Sequence, residues 1–309
     1  MAKRTDRFKT GSLGLYAPRY WPSWLAVGIT WVLAKLPFSV QNVLARGLAA
    51  LVIKTRTSRT KTIYRNIELC FPQLDTEARE ALAKANLYST MLSLFDLVNL
   101  VWARRENLLD RYQIIGEEHF HAALASGKPL IMVSGHSNGF ITGLAKLSTI
   151  KPFSALYRAM DNPVLQTQLY ERAMTKYPIR ALHRKEVTRM LNELNEGGMT
   201  AIFPDQDFGS KRSIFIPFFG IDTATITAIP QYAKTANAQV LFAYAYRQPE
   251  GRTVLEIEPA LENYPTGDDI SDTLLWSDWL ETKIRAHPED YFWIHKRFKT
   301  RPEGQPKRY

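Results

Sequence analysis

The sequence predicts an α/β fold, with a mixed, mostly parallel sheet flanked by helices and an N-terminal helical membrane anchor. Three observations predict it. From residue 112 onward, short apolar runs alternate with segments of helical period. Near the middle, Pro129-Leu-Ile-Met-Val-Ser-Gly-His-Ser-Asn-Gly-Phe-Ile141 is an apolar run that breaks into small and polar residues. A buried strand delivering a loop at its carboxyl end has this form. Before residue 54, two apolar segments flank Pro37, and basic residues follow them.

Composition sets the bounds. A chain of 309 residues, 45% hydrophobic and 12% aromatic, can bury a sizeable core in one or two domains. The lone Cys70 excludes an internal disulfide and a cysteine-rich zinc site, and reads as a small buried residue. The net charge of +10 is unevenly placed: residues 1–65 carry +11, residues 295–309 carry +5, and the stretch between them carries −6. Charge concentrated at the two ends argues against a uniformly basic nucleic-acid binder. It suits patches that meet anionic lipid headgroups or phosphates.

Residues 1–18 read as a basic leader, with no cleavage site after the apolar segment that follows. Tyr20, Trp21, Trp24 and Trp31 favour a membrane interface, and Ser23 is a candidate helix cap. The uncharged run 20–34 spans about 22 Å as a helix, short of the roughly 30 Å hydrocarbon core. Residues 20–53 are therefore expected to anchor the chain as one tilted span or as a monotopic helical pair. Asp75 opens a further helical stretch whose apolar series, Leu82, Leu87, Met91, Leu94, Leu97 and Val101, suits core packing. Strands are expected over 112–115, 130–134, 153–158, 179–182 and 200–203, and as a pair over 240–246 and 253–257 around a turn at 248–252. Helices are expected over 117–126, 140–149, 163–176, 185–196, 224–235 and 272–287. The division is then a leader with anchoring helices over 1–65, a packed helical segment over 66–110, and the α/β domain over 111–309.

Polar clusters sit where three of these strands end. The first is Gly135-His136-Ser137-Asn138-Gly139. The second is Tyr157-Arg158 with Asp161. The third runs from Phe203 through Asp205, Gln206, Asp207 and Gly209 to Lys211 and Arg212. A parallel sheet would gather them on one edge, combining an imidazole base, a cationic clamp and two carboxylates. The first cluster has two chemical readings. His136 is a general base, or Ser137 is the nucleophile of a G-x-S-x-G elbow, in a lipid esterase completed by Asp205 or Asp207 with His287 or His295. His119, His121 and His183 read as surface or loop residues. His295 lies in an aromatic, basic segment suited to phosphates or a membrane surface.

Several segments carry a family resemblance: Pro18-Arg-Tyr-Trp21, Arg65-Asn-Ile-Glu-Leu-Cys-Phe-Pro72, the His136 loop, Pro204-Asp-Gln-Asp-Phe-Gly209, Pro217-Phe-Phe219, Tyr264-Pro265, and Tyr291-Phe-Trp-Ile-His-Lys-Arg-Phe-Lys-Thr-Arg-Pro302. Nearly end to end, the chain resembles the late lipid A acyltransferases of Gram-negative bacteria, the lauroyl/myristoyl transferases, and the lauroyl type most. The resemblance implies a glycerolipid-acyltransferase-like fold and an inner-membrane enzyme with its site at the cytoplasmic face. It implies transfer of an acyl chain from acyl carrier protein to a hydroxyacyl hydroxyl of a phosphorylated lipid A precursor, without metal or organic cofactor. It implies His136 as the catalytic base. It also implies Arg158, Asp205, Gln206, Asp207, Gly209, Lys211 and Arg212 as residues facing the acceptor. One position departs. The family pattern places an acid five residues after the histidine, and here that residue is Ile141. Either Asp205 or Asp207 supplies the carboxylate in space, or the chain is a weakened or non-catalytic paralogue. The Ser137 esterase leaves the two distant segments, Pro204–Gly209 and 291–302, unexplained.

Overall fold

The computed structural model describes residues 12–248 and 252–309. The start of the basic leader and the middle of the turn expected at 248–252 lie outside the described residues. The N-terminal region is helical: α1 (Trp21–Leu33), α2 (Phe38–Thr55), α3 (Ser58–Cys70) and α4 (Thr76–Trp102). Asp75 caps α4, its side chain accepting from the Ala78 N–H at 2.8 Å. Ser23 caps nothing. Pro22 in the first turn starts α1 earlier, with Tyr20 at the cap position, and the Ser23 hydroxyl instead accepts from Asn162 Nδ2 at 2.8 Å.

Among the described residues, no helix is long and apolar enough to cross a membrane, so the tilted span is not there. Pro37 divides the apolar stretch into a hairpin, and its inner side is tied down by polar bonds. Buried Gln41 donates to the carbonyls of Leu33, which ends α1, and of Leu36 in the turn after it, and exchanges amide bonds with Asn99 of α4. Trp102 Nε1 donates to Thr30 Oγ1 at 2.9 Å. These bonds satisfy groups that a helix terminus leaves open, and they commit one face of the hairpin to protein rather than lipid.

After the short helix α5 (Arg105–Leu109) the alternation begins. It runs β1 (Tyr112–Ile115), α6 (Glu117–Ala125), β2 (Leu130–Val133), α7 (Phe140–Ser148), β3 (Phe153–Tyr157), α8 (Pro163–Leu165), α9 (Arg172–Lys176), β4 (Ile179–His183), α10 (Val187–Asn195) and β5 (Met199–Ile202). Then come β6 (Ser213–Phe218), β7 (Ile221–Ile226), α11 (Ala228–Ala236), β8 (Gln239–Arg247), β9 (Thr253–Ile257) and α12 (Asp269–Ala286). Between α8 and α9 the chain is π-helical over Gln166–Glu171, so the helix expected there is not regular. The expected helix at 224–235 begins only at Ala228. Ile221-Asp-Thr-Ala-Thr-Ile226 is β-branched at four of six positions, and it pairs antiparallel with β6 as a separate two-stranded ribbon.

The main sheet has seven strands in the order β1-β9-β8-β2-β5-β3-β4. Strands β8, β2, β5, β3 and β4 are parallel, and β9 turns antiparallel on β8 and carries β1 parallel to itself. The expected mixed, mostly parallel sheet is therefore present. Both faces are buried. On β2, Ile131 and Val133 join one apolar cluster with α3, α4, α11 and α12, while Leu130 and Met132 join another with α6 and α7. Strand β8 divides the same way, as a period of two requires. Cys70 is buried in the first cluster.

The C-terminal segment after α12 returns across α3 and α4. Asn66 of α3 donates to the Trp293 and His295 carbonyls, both at 2.7 Å. Asn86 of α4 donates to the Glu289 and Tyr291 carbonyls at 2.8 and 2.7 Å. Both asparagines are buried, and their amides tie the backbone of the returning segment to α3 and α4.

Candidate active site

Register brings the site together. Strands β2 and β5 are neighbours, with Val133 opposite Ile202. Three residues beyond each strand end, His136 and Asp205 meet. The chain turns sharply between β2 and α7, and its glycines permit the approach. A Cβ on Gly135 would collide with Leu280, and one on Gly139 would lie 2.7 Å from Thr253 Cγ2. His136 Nδ1 donates to Asp205 Oδ1 at 2.6 Å, and the His136 backbone N–H donates to Asp205 Oδ2 at 2.9 Å. Tyr291 Oη donates to the same Oδ2 at 3.0 Å. Burial pushes the Asp205 carboxyl up, but His136 and these hydrogen bonds outweigh it and hold the group at about 2. The carboxylate is thus a fixed anion on one side of the ring. The His136 side chain is 19% exposed, with the Phe140 and Phe203 rings 5.3 and 5.1 Å away.

The loop is braced from below. Buried Arg247 pairs with buried Asp96 at 2.5 Å, and Arg247 Nη2 also donates to the Asn138 carbonyl at 3.3 Å. The Asn138 N–H donates to the Asp290 carbonyl at 2.6 Å, and the Phe292 N–H donates to the His136 carbonyl at 2.9 Å.

On the other side of the ring, Gln206 Nε2 lies 3.1 Å from His136 Nε2 and 2.9 Å from His295 Nε2. An amide nitrogen only donates, so both imidazole Nε2 atoms accept. His136 therefore carries its ring proton on Nδ1, toward Asp205, and presents a lone pair at Nε2. Burial, and after it the neighbouring His136, pull His295 down to about 4, which keeps this second imidazole neutral.

Of the expected site residues, His136, Asp205 and Gln206 converge. Asp207 turns away to the C-terminal segment: it accepts from the Thr300 N–H at 2.6 Å, from Thr300 Oγ1 at 2.8 Å and from the Gly209 N–H at 2.9 Å. Gly209 adopts φ +82° and leads into a single 3-10 turn that holds Lys211 and Arg212 exposed. Arg158 is 71% exposed, 3.8 Å from the still more exposed Asp161. Ile141 packs against the apolar cluster of Leu100, Leu108, Leu109, Tyr112, Ala145 and Tyr177. The carboxylate on His136 comes from Asp205 instead. The Ser137 hydroxyl is wholly buried and has no hydrogen-bond partner among the described residues, and His287 is stacked on Tyr246. Neither histidine proposed for an esterase is bonded to Ser137.

Tyr291 and His295 belong to the site although their expected surroundings were phosphate or membrane. The signal was present in the segment 291–302, but its place beside His136 depends on pairing across the whole chain. Arg297 is likewise buried. Its Nη1 donates to the Ala224 carbonyl at 2.6 Å and to the Gln206 carbonyl at 3.5 Å, and its Nη2 donates to Thr225 Oγ1 at 2.8 Å.

Comparison with known proteins agrees with the resemblance read from the segments. The chain is 32% identical to the lipid A biosynthesis lauroyltransferase of Escherichia coli K12, over 96% of this chain and 98% of that one. It is 28% identical to the palmitoleoyltransferase of the same organism, over 94% and 95%. It is 23% identical to that organism's myristoyltransferase, over 94% and 91%. The crystal structure of a 1-acyl-sn-glycerophosphate acyltransferase from Thermotoga maritima matches 80% of this chain and 95% of that one, with 12% identity and a TM-score of 0.38. The family described as bacterial lipid A biosynthesis acyltransferase matches residues 9–300, and the chain belongs to that family.

Proposed function

We propose that this member of the lipid A acyltransferases moves a fatty acyl chain from acyl carrier protein to a hydroxyacyl hydroxyl of a phosphorylated lipid A precursor, with His136 as general base. The observation that carries the reading is the Asp205–His136 pair, in which Nδ1–H is held by a buried anion and the Nε2 lone pair faces Gln206. An acceptor hydroxyl reaching Nε2 gives up its proton as its oxygen attacks the thioester carbon, and the carbonyl electron pair moves onto oxygen. Collapse restores the carbonyl and breaks the C–S bond, and the departing thiolate takes the proton back from Nε2. Asp205 steadies the imidazolium between these steps, in the role that the family pattern gives to the acid expected at position 141. For that reason Ile141 does not favour a non-catalytic paralogue.

The outward faces of α1 and α2 support a monotopic anchor. Trp21, Leu25, Ile29, Val43 and Leu51 are exposed there, and Arg19, Lys35, Lys54, Arg56 and Arg59 flank them. Such a surface lies in a bilayer interface and is drawn to anionic lipid. Because Ser23 is tied to Asn162, in the loop that follows β3, this surface shares the sheet edge with His136. In this reading the enzyme works at the cytoplasmic face of the inner membrane.

The test is acyl transfer in detergent from acyl-acyl carrier protein to a hydroxyacylated, phosphorylated glucosamine disaccharide. His136→Ala is expected to abolish it. Activity that survives His136→Ala but is lost in Ser137→Ala would replace this reading with the esterase.

A further inference from the structure

In the free site, one amide nitrogen holds two imidazoles. Gln206 Nε2 donates to His136 Nε2 at 3.1 Å and to His295 Nε2 at 2.9 Å. The acceptor hydroxyl in the reaction above needs the His136 bond for itself. Its arrival leaves Gln206 with one N–H still on His295 and one N–H without a partner, within a hydrogen bond's reach of the reacting oxygen. A part-buried donor left in that state is costly. The new acceptor created at that moment is the thioester oxygen, which becomes an oxyanion as the carbon is attacked.

The geometry points to Gln206 as a donor to that oxyanion, and to His295 as the positioning residue that keeps the amide in place. The assignment rests on His136 being the base. Its steps balance: the hydroxyl proton goes to His136 Nε2, the oxygen–carbon bond forms, and the carbonyl pair becomes the oxyanion that accepts from Gln206. The pair then returns as the C–S bond breaks. Oxyanion donors work because they are fixed before charge develops, and this one is fixed at both ends. The Gln206 backbone carbonyl accepts from buried Arg297 at 3.5 Å. The His295 carbonyl is held by Asn66 at 2.7 Å, and the His295 ring packs on Phe292 at 5.0 Å.

The experiment measures kcat and KM separately, with lauroyl-acyl carrier protein and the phosphorylated disaccharide acceptor, for Gln206→Leu, Gln206→Glu, His295→Phe and His295→Gln. Each variant is first checked for cooperative melting. Gln206→Leu is expected to lower kcat by about 10²–10³-fold with KM nearly unchanged, because the bond exists only in the transition state. Gln206→Glu has the same shape without the donor and is expected to lose at least as much, so it reads the same point if the leucine variant does not fold. His295→Phe is expected to lose roughly tenfold in kcat, and His295→Gln, which keeps an acceptor, to recover most of it. An unchanged kcat in Gln206→Leu, or a raised KM with kcat intact, overturns the assignment; the second result would make Gln206 a ground-state clamp. Full activity in His136→Ala would show instead that the underlying base assignment had failed.

Discussion

Replacing Asp205 by asparagine tests what the carboxylate does, because the two side chains have nearly the same shape. Oδ2 accepts twice in the native site, from the His136 N–H at 2.9 Å and from Tyr291 Oη at 3.0 Å. In Asp205→Asn the new amide oxygen is expected to keep those two bonds. That leaves the amide NH₂ at the position of Oδ1, 2.6 Å from His136 Nδ1. A donor there forces Nδ1 to accept, so the ring proton moves to Nε2 and the lone pair disappears from the side where the hydroxyl arrives. The corresponding change in a serine-protease triad costs about 10⁴ in kcat, or roughly 5.5 kcal/mol of barrier. A loss of that order is expected here, with little change in KM. The substitution also removes a buried anion whose native value, about 2, lies below its ordinary 3.8. A depressed carboxylate stabilises the fold above the unfolded value and loses that contribution as pH falls through about 2. The contribution at neutral pH is roughly 2 kcal/mol, so Asp205→Asn should melt lower at pH 7 and approach the native protein near pH 2. The assay is single-turnover acyl transfer together with thermal melts across pH. An Asp205→Asn enzyme within tenfold of the native kcat would refute the tautomer argument.

Three further outcomes follow from the same contacts. Ile141→Glu should leave activity no higher and lower the melting temperature, at a cost of about 1–3 kcal/mol, because the new carboxylate enters the cluster around Leu100 and Tyr112; a clear gain in turnover would show that Asp205 does not replace the missing acid. Asp207→Ala should destabilise by roughly 2 kcal/mol through the lost Thr300 bonds without raising KM for the lipid acceptor, and a large rise in KM would return Asp207 to substrate binding. Asp96→Ala leaves Arg247 buried and uncompensated, so chemical denaturation should show a loss of about 3–5 kcal/mol; a loss below about 1 kcal/mol would mean that the pair does not brace the His136 loop.

The sheet was legible because it is buried on both faces, which turns each central strand into an apolar run with an abrupt end. The same property located His136. Asp205 was legible as a candidate carboxylate for His136, but the choice between it and Asp207 was not, since nothing local distinguishes the two. The difference lies in where the chain after Pro204 points: one carboxylate faces the β2 loop and the other faces Thr300. The end of β7, Ala224–Ile226, was read as the start of a helix because small and β-branched residues there suit either state until β6 pairs with them. In the N-terminal region, aromatic and apolar residues indicated a membrane, but length alone did not separate a span from a hairpin. Buried Gln41 and its bonds to α1 and α4 decide that. The places of Tyr291 and His295 beside Asp205 and Gln206 were out of reach for a different reason, since their neighbours are set by tertiary pairing rather than by any periodicity.

That pairing has a consequence for how the protein is made. Asn66 and Asn86 bind carbonyls more than 200 positions further along the chain, and Tyr291, beside Asp205, lies 86 positions after it. Translation proceeds from the N-terminus, so α3 and α4 emerge long before the segment they grip. Contacts of such long range form late and slowly. The candidate site is therefore expected to stay incomplete on the ribosome, with Asp205 lacking its tyrosine and Gln206 its second imidazole until the segment from Tyr291 to His295 has emerged. A nascent chain stalled at residue 288 should hold most of the sheet and no activity.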